Sequence, residues 1–139
     1  MNLDKFKGVF CALNAIYDEN DNVDLEKMKA LVRVYKSLGV KGVYACGSTG
    51  EGFLLSTEER KQIARAVKEA AGDDFTVIVH IGCASTKESI ELAKDCEKAG
   101  APVCRSFFEI FITVCGKISF KKLNLLFKMV SHKNILRLR

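Results

Sequence analysis

Proline is almost absent: Pro102 is the only one among 139 residues, and glycine reaches just ten. A collagen-like chain needs glycine at every third position and abundant proline, so that class is excluded. The six cysteines, Cys11, Cys46, Cys83, Cys96, Cys104 and Cys115, form no C-x-x-C pair and have no histidine cluster beside them. Zinc sites and thioredoxin-type chemistry therefore have little support. Three of the cysteines lie in apolar runs, where a thiol acts as a small hydrophobe. No run of about 18 apolar residues exists to cross a membrane. Met1–Phe6 lacks the apolar core of a signal peptide. Reduced thiols in a cytoplasmic protein are the expectation, with no membrane partner. Length is short too, because a complete eight-stranded β/α barrel takes about 250 residues. What is present is globular: 48% hydrophobic and 28% charged residues. A chain of this size buries about two-thirds of its unfolded surface, which excludes disorder over most of it.

Acidic residues run out along the chain. Residues 1–100 carry 14 Lys and Arg against 16 Asp and Glu, whereas residues 101–139 carry eight against Glu109 alone. Five of the nine phenylalanines fall in the second stretch. The expected organisation is therefore a folded portion over 1–100 and a basic, Phe-rich tail over 101–139. Such a tail reads as an arm for an acidic partner or as a stretch foreign to the fold. A basic face is most often just solvated, so nucleic acid is not the expected partner.

The first hundred residues alternate between strand and helix. Gly8–Ile16 is an apolar run that reads as a buried strand. Asp24 caps a helix with an apolar stripe through Leu25, Met28, Leu31, Val32, Tyr35 and Leu38, and Gly39 ends it. Gly42–Cys46 is the second strand. Ser56 and Glu59 form a capping box for a helix that stops at Gly72. Thr76–Ile81 is the third strand. Ser85 and Glu88 form a second capping box, for a helix ending at Gly100. Val103–Phe107 is a candidate fourth strand, and Ser119–Val130 a possible helix. Apolar strands spaced by helices at roughly 35 residues per unit predict a parallel sheet with covered faces. Periodicity leaves two architectures open, a doubly wound sheet and part of a β/α barrel.

The loop after the second strand is the candidate site. It reads Gly47-Ser48-Thr49-Gly50-Glu51-Gly52, and its glycines allow positive φ and close backbone approach. Ser48 and Thr49 add two hydroxyls, and successive N–H groups in such a turn can nest an anion. The loop follows the carboxyl end of a parallel strand, where α/β ligands sit. The absence of G-K-[ST] excludes a Walker loop, and a small carboxylate fits. A tight turn with no ligand is the bland alternative. His80 is expected to pack or to hydrogen-bond a loop, and Glu51 to organise its own loop or a subunit contact.

Several motifs in order resemble the N-acetylneuraminate lyase/dihydrodipicolinate synthase family of pyruvate-dependent class I aldolases. They are Gly8-Val9-Phe10, then Gly42-Val43-Tyr44 leading into Gly47-Ser48-Thr49-Gly50-Glu51, then Leu55-Ser56-Thr57-Glu58-Glu59-Arg60. His80-Ile81-Gly82-Cys83-Ala84-Ser85-Thr86 is similar to the lyase branch rather than the synthase branch. The resemblance implies the first three β-α units of a β/α barrel. It implies a Schiff-base retro-aldol cleavage of N-acetylneuraminate to pyruvate and N-acetylmannosamine by the full-length enzyme, without metal or external cofactor, in a homo-oligomer. Ser48 and Thr49 would hold the carboxylate of a 2-oxo acid, and Ser48 would also join a proton relay with an active-site tyrosine. That tyrosine and the Schiff-base lysine are expected from the fifth and sixth strands, and no residue of 101–139 matches either context. No catalytic residue is therefore identifiable in this chain. The family's proline-containing segments are missing around Asn14–Tyr17 and after Ala101. With the charge break, this suggests that the reading frame leaves the family near residue 101, and the chain alone is expected to be inactive. Two alternatives stand beside this reading. One is a synthase-like or other 2-oxo acid aldolase; the other is a non-catalytic module whose basic tail binds an acidic partner.

Overall fold

The computed structural model describes residues 6–101 and 103–105. The order of elements is β1 (Phe10–Ala12), α1 (Leu25–Ser37), β2 (Gly42–Ala45), α2 (Thr57–Ala71), β3 (Thr76–His80), α3 (Thr86–Lys98) and β4 (Val103–Arg105). Residues 1–5, Pro102 and 106–139 lie outside the description, and with them most of the basic tail and the possible helix at Ser119–Val130.

Local chemistry sets most of the helix ends. The Asp24 carboxylate accepts from the Lys27 amide at 2.9 Å, which satisfies one of the free donors at the start of α1. Gly39, at φ +76°, turns the chain out of the helix as the sequence predicts. The capping box of α2 forms in both directions: the Glu59 amide donates to Ser56 Oγ at 3.2 Å, and the Ser56 amide to Glu59 Oε2 at 2.7 Å. The second box does not form, because Ser85 makes no side-chain cap hydrogen bond. Ser89 takes the anchoring role instead, its hydroxyl accepting from the Cys83 amide at 3.1 Å.

The strands are shorter than the apolar runs. β1 stops at Ala12 because the chain then swings toward α1, where the Asp24 amide donates to the Ile16 carbonyl at 2.7 Å. β2 stops at Ala45 because Cys46 adopts φ +56°, which breaks the ladder. For the expected strand at Val103–Phe107, β4 is found at Val103–Arg105, and the last two residues of that span lie outside the described residues.

All three strand pairings are parallel, and the sheet order is β1-β2-β3-β4. This decides between the two architectures. A doubly wound sheet reverses its strand order at a switch point and spreads its helices over both faces. Here the order never reverses, and the three helices share one buried cluster with one face of the sheet. Val43, Ala45, Val77 and Val79 of the strands join Met28 and Val32 of α1, Ile63 and Val67 of α2, and Leu92 and Cys96 of α3. The fold is an arc of a β/α barrel. Each large aliphatic side chain in this cluster contributes about 1.5–3 kcal/mol relative to exposure. The alternate strand residues, Phe10, Ala12, Tyr44 and Ile78, belong to the opposite, barrel-inner face and are only partly covered or exposed. Among the described residues no helix is long and apolar enough to cross a membrane.

Candidate functional site

The carboxyl ends of β2 and β3 open onto a recess of about 380 Å³. Phe10, Ala12 and Tyr44 of the inner face floor it, Gly47–Gly50 form one wall, and His80 closes another side. Ser48 and Thr49 are thus side by side on that wall, both exposed. Among the described residues nothing engages either hydroxyl, nor the backbone N–H groups of Ser48, Thr49 and Gly50. The wall therefore offers two hydroxyls and a run of uncommitted N–H donors, which suits a small anion.

The glycines of this loop serve close approach, and the positive φ values fall elsewhere. Cys46 at +56° and Glu51 at +53° bracket the turn. A Cβ on Gly52 would lie 1.9 Å from the Cys46 carbonyl oxygen, and one on Gly50 would lie 2.5 Å from the Leu13 carbonyl oxygen. The loop is closed by the Gly52 amide donating to the Gly47 carbonyl at 3.0 Å and the Glu51 amide to the Ser48 carbonyl at 3.1 Å. Glu51 organises the loop, as expected from sequence: its carboxylate accepts from the Tyr17 hydroxyl at 3.2 Å and ties the β1–α1 connection to the wall. Desolvation, then the Glu51 carboxylate, raises the Tyr17 hydroxyl above its ordinary pKa.

His80 is 2% exposed, with Phe53 edge-on at 5.6 Å and Tyr44 tilted at 6.3 Å between ring centres. Burial first, and then the charge of Arg60, push its pKa down to about 4, so the ring is neutral at pH 7. Burial likewise pushes the Cys46 thiol up to about 12, which makes it packing material rather than a nucleophile.

Sequence reasoning missed the role of Arg60. This side chain is 3% exposed, yet it sits in the first turn of α2. Its Nη2 donates to the His80 carbonyl at 2.6 Å, and its Nη1 to the Gly82 carbonyl at 3.0 Å and to Cys83 Sγ at 3.1 Å. Arg60 therefore holds the connection after β3 in place from the neighbouring helix. One signal was available: a cation at a helix N-terminus opposes the macrodipole, so it needs another reason to be there. Among the described residues no group of three His, Cys, Asp or Glu could hold a metal ion.

The family model described as the dihydrodipicolinate synthetase family matches residues 5–108. The N-acetylneuraminate lyase of Mediterraneibacter gnavus is 42% identical over 99 residues, which are 71% of this chain and 31% of that relative. Among solved structures, the wild-type sialic acid aldolase of Ruminococcus gnavus is 39% identical with a TM-score of 0.72, over 74% of this chain and 34% of that one. A prophage protein of the dihydrodipicolinic acid synthase family from Escherichia coli, solved in complex with pyruvate, is 28% identical with a TM-score of 0.74, over 90% of this chain and 41% of that one. The chain spans about a third of the length of the curated relatives it matches.

Proposed function

The chain belongs to the dihydrodipicolinate synthetase family, and from that premise we propose that it carries the carboxylate-holding part of an N-acetylneuraminate lyase-like site. The observation that carries this reading is the wall of the recess, where Ser48, Thr49 and the uncommitted loop N–H groups converge. In this reading they hold the carboxylate of a 2-oxo acid such as pyruvate, and the rest of the substrate extends across the floor made by Phe10, Ala12 and Tyr44. The lyase branch is favoured over the synthase branch by the His80–Thr86 segment and by relatives named N-acetylneuraminate lyase at about 40% identity.

Cleavage by this route needs an amine. It attacks the keto carbon, expels water and forms an iminium, which takes up the electron pair released when the C–C bond breaks. Among the described residues, those lining the recess include no lysine. The amine and the tyrosine of the relay belong to later strands, whose loops meet the same mouth in a whole barrel. This chain alone is therefore proposed to bind a 2-oxo acid weakly and to cleave nothing. The division into a family portion over 1–100 and a basic tail over 101–139 is part of the proposal. The family match runs through residue 108, and strand β4 lies at Val103–Arg105. A cytoplasmic setting and a homo-oligomeric whole enzyme complete the reading.

The test is pyruvate binding by the full chain, followed by borohydride reduction and intact-mass analysis. Weak binding that falls roughly tenfold in Thr49→Val, with no covalent adduct, supports the reading. A stoichiometric adduct on a lysine within 101–139 overturns it, because the tail would then supply a working nucleophile. Failure of wild type to bind pyruvate removes the carboxylate assignment of Ser48 and Thr49.

A further inference from the structure

The wall of the recess is closed by its own backbone, yet a side chain from the β1–α1 connection reaches into it. The Gly52 amide bonds the Gly47 carbonyl and the Glu51 amide bonds the Ser48 carbonyl, the pair of bonds that ends a helical turn. The residue at the left-handed position of such an ending is normally glycine. Here it is Glu51, at φ +53°, and the glycine comes one residue later. Strain of this kind persists where surrounding contacts hold it, and it clusters at binding sites. The Glu51 carboxylate accepts from the Tyr17 hydroxyl at 3.2 Å. The base from which Tyr17 reaches is itself firm. Tyr17 packs against the core and pairs with Val23 in an antiparallel bridge. Between them the Asp18 carboxylate accepts from the amides of Asn20 at 2.8 Å and Asn22 at 2.9 Å, which closes the loop. The same connection touches the wall once more: the Leu13 carbonyl oxygen lies 2.5 Å from where a Cβ on Gly50 would stand.

We propose that Tyr17 is a positioning residue for the Ser48–Thr49 wall: its hydroxyl, on the Glu51 carboxylate, fixes the tilt of the turn that holds the anion. The inference rests on the carboxylate-holding role proposed for that wall. Backbone bonds within the turn set its shape, and contacts from outside set how it stands against the recess. The β1–α1 connection supplies two of these, on Gly50 and on Glu51. The hydroxyls and N–H groups of the wall act together on one carboxylate only while they keep a common direction, so the tilt enters the affinity. Glu51 is exposed, and the bond therefore contributes little to folding.

The experiment uses the full chain, labelled with nitrogen-15, and pyruvate as the ligand. Tyr17→Phe removes the hydroxyl and keeps the ring on the core. It is expected to unfold in urea close to wild type, to broaden the amide signals of Ser48, Thr49 and Gly50, and to bind pyruvate about fivefold more weakly. Glu51→Gln keeps an acceptor for the hydroxyl, and is expected to leave the amides sharp and the affinity within about twofold. Glu51→Asn suits the left-handed backbone and falls one methylene short of the hydroxyl. It is expected to be at least as stable as wild type and yet to bind about fivefold more weakly, a combination that a merely structural role does not produce. A folded Tyr17→Phe protein with wild-type affinity overturns the inference, whether or not its amides broaden. So does a Glu51→Asn protein that binds as wild type does. Should Tyr17→Phe not fold, Glu51→Asn, at an exposed position, decides. If wild type binds no pyruvate, the carboxylate reading fails and the amides judge the contact: broadening in Tyr17→Phe upholds it, and sharp signals overturn it.

Discussion

The two connections at the mouth, β2 to α2 and β3 to α3, are built by opposite means. The first is held largely by its own backbone, with the Tyr17 hydroxyl on Glu51 as an added tie. Its glycines admit backbone atoms at distances no side chain would allow, its own amides close the turn, and a reciprocal capping box hands it to the helix. The second is held from outside. Ser85 caps nothing, and the loop is fixed by Arg60 of the preceding helix and by Ser89 of the following one. A loop that holds itself is encoded by residues next to one another in the chain. A loop that is held depends on a side chain more than twenty residues away, which no local pattern reports.

The difference can be broken at its strongest point first. Gly52→Ala places a methyl group 1.9 Å from the Cys46 carbonyl oxygen. It is expected to cost about 3 kcal/mol in urea unfolding, because the neighbour is backbone and cannot step aside. The held loop is most exposed to acid. The ring of His80 has a folded-state pKa of about 4 against 6.5 for the ordinary side chain. As pH falls, the unfolded chain takes up this proton first. The contribution of the neutral ring is therefore complete above pH 6.5 and is lost as pH falls from 6.5 to about 4. The expected loss over that window is about 2–3 kcal/mol, and His80→Gln should flatten the slope.

Arg60→Met removes the donors to two buried carbonyls and also removes a buried cation. The two effects oppose each other, and a net loss of about 2 kcal/mol is expected. Its hydrogen exchange should speed up in the β3–α3 connection more than in the β2–α2 turn. The caps give the smallest contrast. Ser56→Ala should cost about 1 kcal/mol, whereas Ser85→Ala should cost close to nothing in the same melts. Equal losses at the two serines would erase the distinction between the loops.

That distinction also explains what could be read from the chain before its fold was seen. The caps at Asp24 and Ser56, the stop at Gly39 and the parallel β-α alternation all rest on neighbours in sequence, and each is found. The pattern S-x-x-E at Ser85 is the same as at Ser56, yet the chain there is committed to Cys83 and Ser89, so the pattern misleads. The apolar runs continue past the strand ends, which fall where Cys46 turns left-handed and where the chain leaves β1 after Ala12. At the candidate site, Ser48 and Thr49 were legible as a hydroxyl pair in a glycine loop. The Arg60–His80 contact was not, since it joins α2 to the end of β3 and depends on burial rather than spacing. The choice between barrel and doubly wound sheet required strand order, which periodicity does not contain.

The consecutive strand order also has a meaning in time. Each strand pairs with one that lies roughly thirty residues earlier in the chain: Val43 beside Cys11, Val77 beside Val43, Cys104 beside Val79. Among the described residues no strand waits for a later segment to be inserted between it and its partner. On a ribosome adding about 5–20 residues each second, each new β-α unit would emerge a few seconds after its template and dock onto it. The sheet can grow in the direction of synthesis, and every intermediate along the way exposes one fresh edge that the next strand to emerge is able to cover.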